Sequence, residues 1–377
     1  MKSSEEQVFR DLQKHLDKQP IGFPATRSGS DIRLLKRLFG SEEARLAMRL
    51  SYKPRALDSI YRDVENEISR EALSNRLQRM SEKGVIGNIE RNDVQYFFNI
   101  PLLVGMFEGQ LHGLTLEFLA DFGEYVSSKS FGLEFLSSAL PQMRTIPIEK
   151  SIQVEHHVAT YDQLANLIHE NQGPFVIKEC ICRKAARLMG DACHKTSRLE
   201  TCMALGEVAK HFIKTGKGRE VTRQEALDIS RQNEVDGLVL QPSNSQKPEF
   251  ICACCGCCCG MIRLQKMLPR PLDFWASNFH ASVDPGACIA CETCIERCQV
   301  DAMTLDSRTG VSKVDLSRCI GCGNCVSTCP SGSIRLVRKA KGIPPPETRE
   351  SLYDAIMARK KGALGKMLLA TRLMLQK

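Results

Sequence analysis

A chain of 377 residues with 42% apolar and 25% charged residues has the balance of a globular protein, and its length calls for two to four domains. Its 18 cysteines far exceed ordinary usage, yet they do not read as a disulfide framework, which belongs to short secreted chains. A formal net charge of +8 is too modest at this length to point by itself to a nucleic-acid partner.

The first residues, Met1–Arg10, contain no apolar signal region. No run of about 18 apolar residues occurs anywhere in the chain, so the expected setting is a reducing cytoplasm. Residues 1–150 read as a mainly helical domain. Ile32, Leu35 and Phe39 recur at helical spacing before Gly40, and Ser41-Glu-Glu-Ala44 opens a second helix with an acidic first turn. Leu57–Glu67 and Ser69–Ser81 form a helix–turn–helix pattern, with Ser69 as N-cap and Leu73, Leu77 and Met80 on one face. Val85-Ile86 and Val94–Phe98 then read as a hairpin closed at Arg91-Asn92-Asp93. Two helices followed by a two-stranded wing resemble a winged-helix domain. Arg70, Arg76, Arg79 and Lys83 on its second helix could meet phosphates, but Glu71 and Glu82 interrupt them, so an ordinary solvated face is the preferred reading. Helices at Leu111–Tyr125 and Phe131–Leu140 follow.

Residues 151–278 read as a small α/β domain with cysteines at its strand ends. Strands are expected at Ile152–Val158, Pro174–Ile177 and Gly237–Leu240, and helices at Thr160–Glu170, Thr201–Thr215 and Thr222–Asn233. His156 and His157 read as one buried and one exposed residue on a strand, not as ligands. Ten cysteines fall here in two groups. The first is Cys180, Cys182, Cys193 and Cys202; the second is Cys252, Cys254, Cys255, Cys257, Cys258 and Cys259.

Residues 279–340 carry the most specific signal, in repeats at about 279–308 and 310–339. The spacing C-x₂-C-x₂-C-x₃-C is written twice, by Cys288, Cys291, Cys294 and Cys298, and by Cys319, Cys322, Cys325 and Cys329. A cubane cluster needs four thiolates, three from a tight loop and the fourth from the other repeat. Two 4Fe–4S clusters follow, one on Cys288, Cys291, Cys294 and Cys329, the other on Cys319, Cys322, Cys325 and Cys298. Zinc knuckles, the competing reading, take two close cysteine pairs instead. Each oxidised cubane carries about −2, which would bring the loaded chain to about +4. The lability of such clusters, more than any residue, suggests a setting low in oxygen.

With that chemistry in the chain, the first central group supplies enough thiolates for at least one further cluster. A zinc site with His194, or free thiols, are the alternatives. Arg183 and Lys184 stand beside it to offset negative charge. In Cys252–Cys259, alternate side chains of an extended segment face opposite ways, so these thiols cannot all meet at one centre. Some are expected to complete a cluster with the first group, and others to bind a second cluster or form a redox-active pair.

Several stretches together resemble a family of cytoplasmic 4Fe–4S dicluster-binding proteins from anaerobic bacteria and archaea. They are Pro20-Ile-Gly-Phe-Pro-Ala-Thr26, Arg33–Phe39, Cys180-Ile-Cys182-Arg183, Gln241-Pro-Ser-Asn244 leading to Cys252-Ala-Cys254-Cys255-Gly256, and the two repeats. The resemblance covers roughly residues 15–340 and implies electron transfer with partners mostly unassigned. The family's second cysteine block, C-x-C-C-x-x-C-C, is matched by Cys252, Cys254, Cys255, Cys258 and Cys259. Cys257 is then an extra thiol without a role. Gln299 replaces the proline that often follows the fourth cysteine, which leaves ligation intact but is expected to loosen one turn.

Residues 341–377 begin with the stiff linker Gly342–Glu347 and continue as a basic amphipathic helix. Contact with protein is preferred to peripheral contact with a membrane, because aromatic anchors are absent beyond Tyr353.

The sequence therefore predicts a multidomain α+β iron–sulfur protein that relays single electrons through two clusters, a further cysteine-bound centre and a partner oxidoreductase subunit. A reductase using the central cysteines on a disulfide-like substrate, and a redox-responsive DNA-binding regulator, are the rivals. A homodimer stays open, and nucleic acid is the less favoured partner.

Overall fold

The structure, a computed structural model, describes residues 2–138, 140–152 and 159–375. The expected strand Ile152–Val158 lies outside the described residues except for Ile152, and so do His156 and His157. The backbone divides into two compact units, residues 1–139 with 353–377, and residues 140–352. Among the described residues no helix is long and apolar enough to cross a membrane.

In the first unit, helix Lys2–Asp17 buries Phe9, Leu12 and Leu16 and packs against helices Ser30–Leu38 and Ser41–Ala47. Helix Arg70–Lys83 starts where Ser69 accepts the Ala72 N–H at 3.3 Å and ends at Gly84 in the left-handed region. Its Leu73, Leu77 and Met80 are buried, as their spacing predicts. The helix expected over Leu57–Glu67 stops at Arg62. Beyond it only Val64 finds a core to enter, while Glu65, Asn66 and Glu67 are exposed, so the chain turns. Strands Ile86–Arg91 and Val94–Asn99 pair through a tight Asn92-Asp93 turn with φ of 49° and 60°, and Arg55–Ala56 adds a third strand. Three of the four cations on the 70–83 helix are engaged in ion pairs. Arg70 pairs with Asp58 at 2.7 Å, Arg76 with Glu42 at 2.5 Å and Lys83 with Glu43 at 2.9 Å.

The tail forms two helices rather than one, Arg349–Ala358 and Ala363–Leu375. Within the first unit, Lys360 and Lys366 converge on the buried Glu134 carboxylate, Lys360 at 3.0 Å. Replacing Glu134 by alanine strands two partly covered ammonium groups and should destabilise the chain by about 2 kcal/mol, since removing one partner of a covered ion pair leaves its charge uncompensated. Urea unfolding midpoints for the variant and parent would test this, and coincident curves would reject it.

The second unit is built on a five-stranded sheet. In spatial order its strands are Arg219–Val221, Phe175–Glu179, Glu200–Leu205, Phe250–Cys254 and Val239–Pro242. Every neighbouring pair is antiparallel, so this domain is α+β and not α/β. The segment expected as helix over Thr201–Thr215 is strand to Leu205 and helix only over Gly206–Lys214. Pairing on both sides, with Phe175–Glu179 and with Phe250–Cys254, overrides local helix preference there. Helices Leu164–Glu170 and Arg223–Val235 cover one face around Ile146, Leu167, Ile177, Leu205 and Leu240. The C-terminal part of the unit adds two ribbons, Phe279–Val283 with Ile334–Arg338 and Met303–Asp306 with Val311–Val314. These ribbons frame the two repeats.

Candidate iron–sulfur and metal centres

The two repeats share a backbone signature as well as a spacing. Positive φ occurs at Ala290, Glu292 and Asp301 (55°, 60° and 54°) and at the equivalent Gly321, Gly323 and Gly332 (64°, 80° and 64°). The loop therefore demands left-handed residues at the same three places, to curl the chain around its cysteines. Glycine is obligatory at two places in the second repeat, where a Cβ on Gly321 would stand 2.3 Å from the Phe279 carbonyl and one on Gly323 2.1 Å from Ser151 Oγ. The first repeat tolerates side chains because its loop faces outward: Cys291 and Ile289 are exposed.

Cys288, Cys291, Cys294 and Cys329 line one pocket with Ser312, Ser331 and Ser333. That set is the one the crosswise spacing predicts. Ser312 Oγ lies 3.3 Å from Cys294 Sγ, and Ser333 Oγ lies 3.3 Å from Cys329 Sγ. Burial opposes ionisation of Cys329, but hydrogen bonds from Ser333 and Ser331 outweigh it and bring the thiol down to about 7. The other set is deeper. Cys319, Cys322 and Cys325 are each held up by burial, Cys322 to about 12, and Cys298 lies close enough to raise all three further. Ala281 N–H donates to Cys319 Sγ at 3.3 Å and Ala302 N–H to Cys298 Sγ at 3.2 Å. These eight thiols include no three whose sulfurs all lie within 4.8 Å of one another. None of them is gathered around a single-ion position, and a donor set of four thiols per site fits two cubanes.

The ten central cysteines divide into two sets that cut across the two sequence groups. Six form a closed ring of neighbouring sulfurs: Cys180, Cys182, Cys259, Cys254, Cys252 and Cys202, which returns to Cys180. Local geometry explains the ring. Cys202 and Cys252 stand opposite each other on adjacent antiparallel strands, since Met203 pairs with Ile251. Cys254, two residues on, lies on the same face as Cys252. Cys180 and Cys259 occupy the N-cap positions of helices Ile181–Leu188 and Gly260–Met267, so two positive helix ends point towards the sulfurs. Cys202 is drawn well below its ordinary pKa by hydrogen bonds from Cys180 and Cys252, with Arg183 adding to the effect.

The other four thiols are Cys193, Cys255, Cys257 and Cys258. The quartet expected from Cys180, Cys182, Cys193 and Cys202 is therefore not one centre, because Cys193 sits on the loop after Gly190 and reaches the other set. Alternation places Cys254 in the ring and Cys255 in the second set. Cys257, the thiol without a role in the sequence, belongs to this second set. His194 does not approach it: its side chain is 71% exposed and faces Asp191 at 3.4 Å.

Arg183 is the residue whose importance the sequence understated. It is 1% exposed, donates to Ala253 O at 2.6 Å and to Thr201 Oγ1, and has no carboxylate partner among the described residues. Its Nε is buried without any hydrogen-bond partner. Burial would lower its pKa, but the sulfurs of Cys180, Cys255, Cys202 and Cys254 around it act in the opposite sense and raise it. A buried cation of this kind is costly unless an anion stands beside it, which favours a thiolate-bound centre over neutral free thiols. Lys184 instead pairs with Glu179 at 2.7 Å.

Gln299 does the opposite of loosening its turn. It is 2% exposed, its Oε1 accepts the Gly256 N–H at 2.8 Å, and its Nε2 donates to Gly237 O at 3.0 Å. A proline there could make neither bond. Gly256 is pressed so close that a Cβ would stand 2.4 Å from Gln299 O. The residue after Cys298 thus bolts the dicluster ribbons onto the loop between Cys255 and Cys257. Gln299→Ala should cost about 2 kcal/mol, from two lost bonds and an unpaired N–H. Chemical denaturation under anaerobic conditions would show it as a lower midpoint, and an unchanged midpoint would remove the claim.

Residues 281–336 match the family described as 4Fe-4S dicluster domain. No curated protein matches the chain. The match lies over both cysteine repeats, so the chain carries a 4Fe–4S dicluster domain close to its C-terminus.

Proposed function

We propose that the protein is an iron–sulfur electron carrier in which the six-sulfur ring and the two repeats serve one path for single electrons, shared with a partner oxidoreductase. One observation carries this reading. Cys252, Cys254 and Cys259 of the ring pack in the same apolar core as Cys294, Cys298, Cys319, Cys322, Cys325 and Cys329, together with Val239, Ile262, Val300 and Ile320. Bound clusters would supply one-electron chemistry at low reorganisation cost, tuned by burial and by hydrogen bonds to sulfur. The chain's own residues do the rest. Ser312, Ser331 and Ser333 stabilise charge on the outer sulfurs, Ala281 and Ala302 donate to the inner ones, and Arg183 compensates the ring. The outer loop, with Cys291 and Ile289 exposed, is the surface a redox partner would meet.

Two features favour a carrier over its rivals. None of the six ring thiols is exposed, Cys180, Cys254 and Cys259 being buried and Cys182, Cys202 and Cys252 half-buried, which disfavours the ring as a site for a disulfide substrate. Three of the four cations of the 70–83 helix, Arg70, Arg76 and Lys83, pair with Asp58, Glu42 and Glu43, which weakens the case for DNA. Anaerobically purified protein should contain iron and acid-labile sulfide beyond what two cubanes hold, and Cys202→Ser should lose only the excess. Material without iron or sulfide would end this reading.

A further inference from the structure

We propose that Cys193, Cys255, Cys257 and Cys258 bind one zinc ion, as a closed tetrathiolate site separate from every iron–sulfur centre of the chain. The spacing of the sulfurs carries the argument. Cys193 Sγ is 3.6 Å from both Cys255 Sγ and Cys257 Sγ, and Cys257 Sγ is 3.7 Å from Cys258 Sγ. All four lie within 4.8 Å of one another, and they are the only such group of potential ligands among the described residues. Four sulfurs at about 2.3 Å from a central ion form a tetrahedron with edges of about 3.8 Å. A cubane gives each thiolate its own iron at a separate corner and holds its ligands further apart. No three sulfurs of the repeats come within 4.8 Å of one another, whereas all four of this group do.

The loop is shaped for a single ion. Cys255 and Cys258 are buried in the sheet's core, with Cys193 and Cys257 packed on its margin. Cys255 receives a backbone hydrogen bond from Cys258. Cys193 receives two, from Lys195 and Thr196. Donors aimed at sulfur stabilise thiolates, the form a metal takes. Binding converts four thiols and one Zn²⁺ into a tetrathiolate of net charge about −2, with release of up to four protons and no change in oxidation state. With all four positions filled by protein, the ion has no open position, which is the mark of a structural site. Its work would be to tie the loop after Gly190 to the Cys255–Cys258 turn. The first leads into the strand bearing Cys202, and the second joins Cys254 to Cys259, so the ion would hold the frame of the six-sulfur ring.

The test is metal analysis with X-ray absorption at the zinc edge on the full chain, purified anaerobically from medium containing both iron and zinc. One zinc per chain with four sulfur neighbours is expected. Substitution by Co²⁺ should give the intense visible bands of a tetrahedral thiolate site. Cys257→Ser should weaken zinc retention at least tenfold against a chelator, while Cys202→Ser keeps its zinc and loses iron. The wild-type spectra stand even if a variant fails to fold. Absence of zinc, a mononuclear ferric–thiolate spectrum in its place, or zinc with nitrogen or oxygen neighbours would overturn the assignment. None of these results depends on whether the chain transfers electrons.

Discussion

Arg183→Met should lower the midpoint potential of the six-sulfur centre by on the order of 100 mV and leave the dicluster potentials where they are. A cation beside a cluster stabilises the reduced state, which carries one more negative charge, so its removal makes reduction harder. Two unit charges near contact at an effective dielectric of about 20 interact by about 4 kcal/mol, and 59 mV corresponds to a tenfold change for a one-electron couple. Partial screening by Thr201 and the Ala253 carbonyl, which already bind the guanidinium, brings the expected shift down to that order. Methionine keeps the length and apolar stem, so the change is chiefly in charge. The metal-free chain should behave in the opposite sense. There, Arg183 is a buried charge with an unpartnered Nε, and its removal should leave the apo protein as stable or more so. Redox titration followed by EPR, together with denaturation of the apo protein, reads both halves. An unshifted central potential, or an apo variant that no longer folds, would show that Arg183 serves packing and not charge.

The sequence disclosed the parts of this molecule that local chemistry dictates. The 70–83 helix is fixed by its Ser69 cap and its apolar face, and the hairpin after it by the Asn92-Asp93 turn. The cysteine repeats announce their sites because ligands three residues apart on a tight loop have few other uses. The central cysteines resisted reading because their grouping is decided by strand register. Cys202 meets Cys252 only because Met203 pairs with Ile251, and no spacing along the chain reveals that. Alternation did predict that Cys254 and Cys255 would part company, but not where each would go. Gln299 looked like a lost proline because its two partners, Gly256 and Gly237, are remote in sequence. The helix expected over Thr201–Thr215 failed for the same reason. Its first residues are good strand material only when flanked on both sides, which long-range pairing decides.

Cys298→Ala and Cys329→Ala should each remove one cluster of the dicluster domain, about half of its iron. The two losses should differ in kind. The pocket lined by Cys288, Cys291, Cys294 and Cys329 opens at the exposed Cys291, so Cys329→Ala should strip the outer cluster and leave the fold largely intact. Cys298 belongs with Cys319, Cys322 and Cys325, two of which are buried, and Cys322 is pushed up to about 12 by burial. Without its cluster that pocket would be left as a cavity lined by unpaired thiols in an apolar core, so Cys298→Ala should be the more destabilising change. Alanine is the better choice here because serine oxygen can replace sulfur as a ligand. Reduced wild-type protein should show the broadened EPR spectrum of clusters that interact magnetically, and each variant should retain a simpler, uncoupled signal. Crosswise ligation makes a sharper demand. Cys298→Ala should leave the same signal as Cys319→Ala, and Cys329→Ala the same as Cys291→Ala. If Cys298→Ala matched Cys291→Ala instead, each repeat would be closing on its own cluster. The ribbons that pair Phe279–Val283 with Ile334–Arg338 would then hold the repeats together without any ligand passing between them.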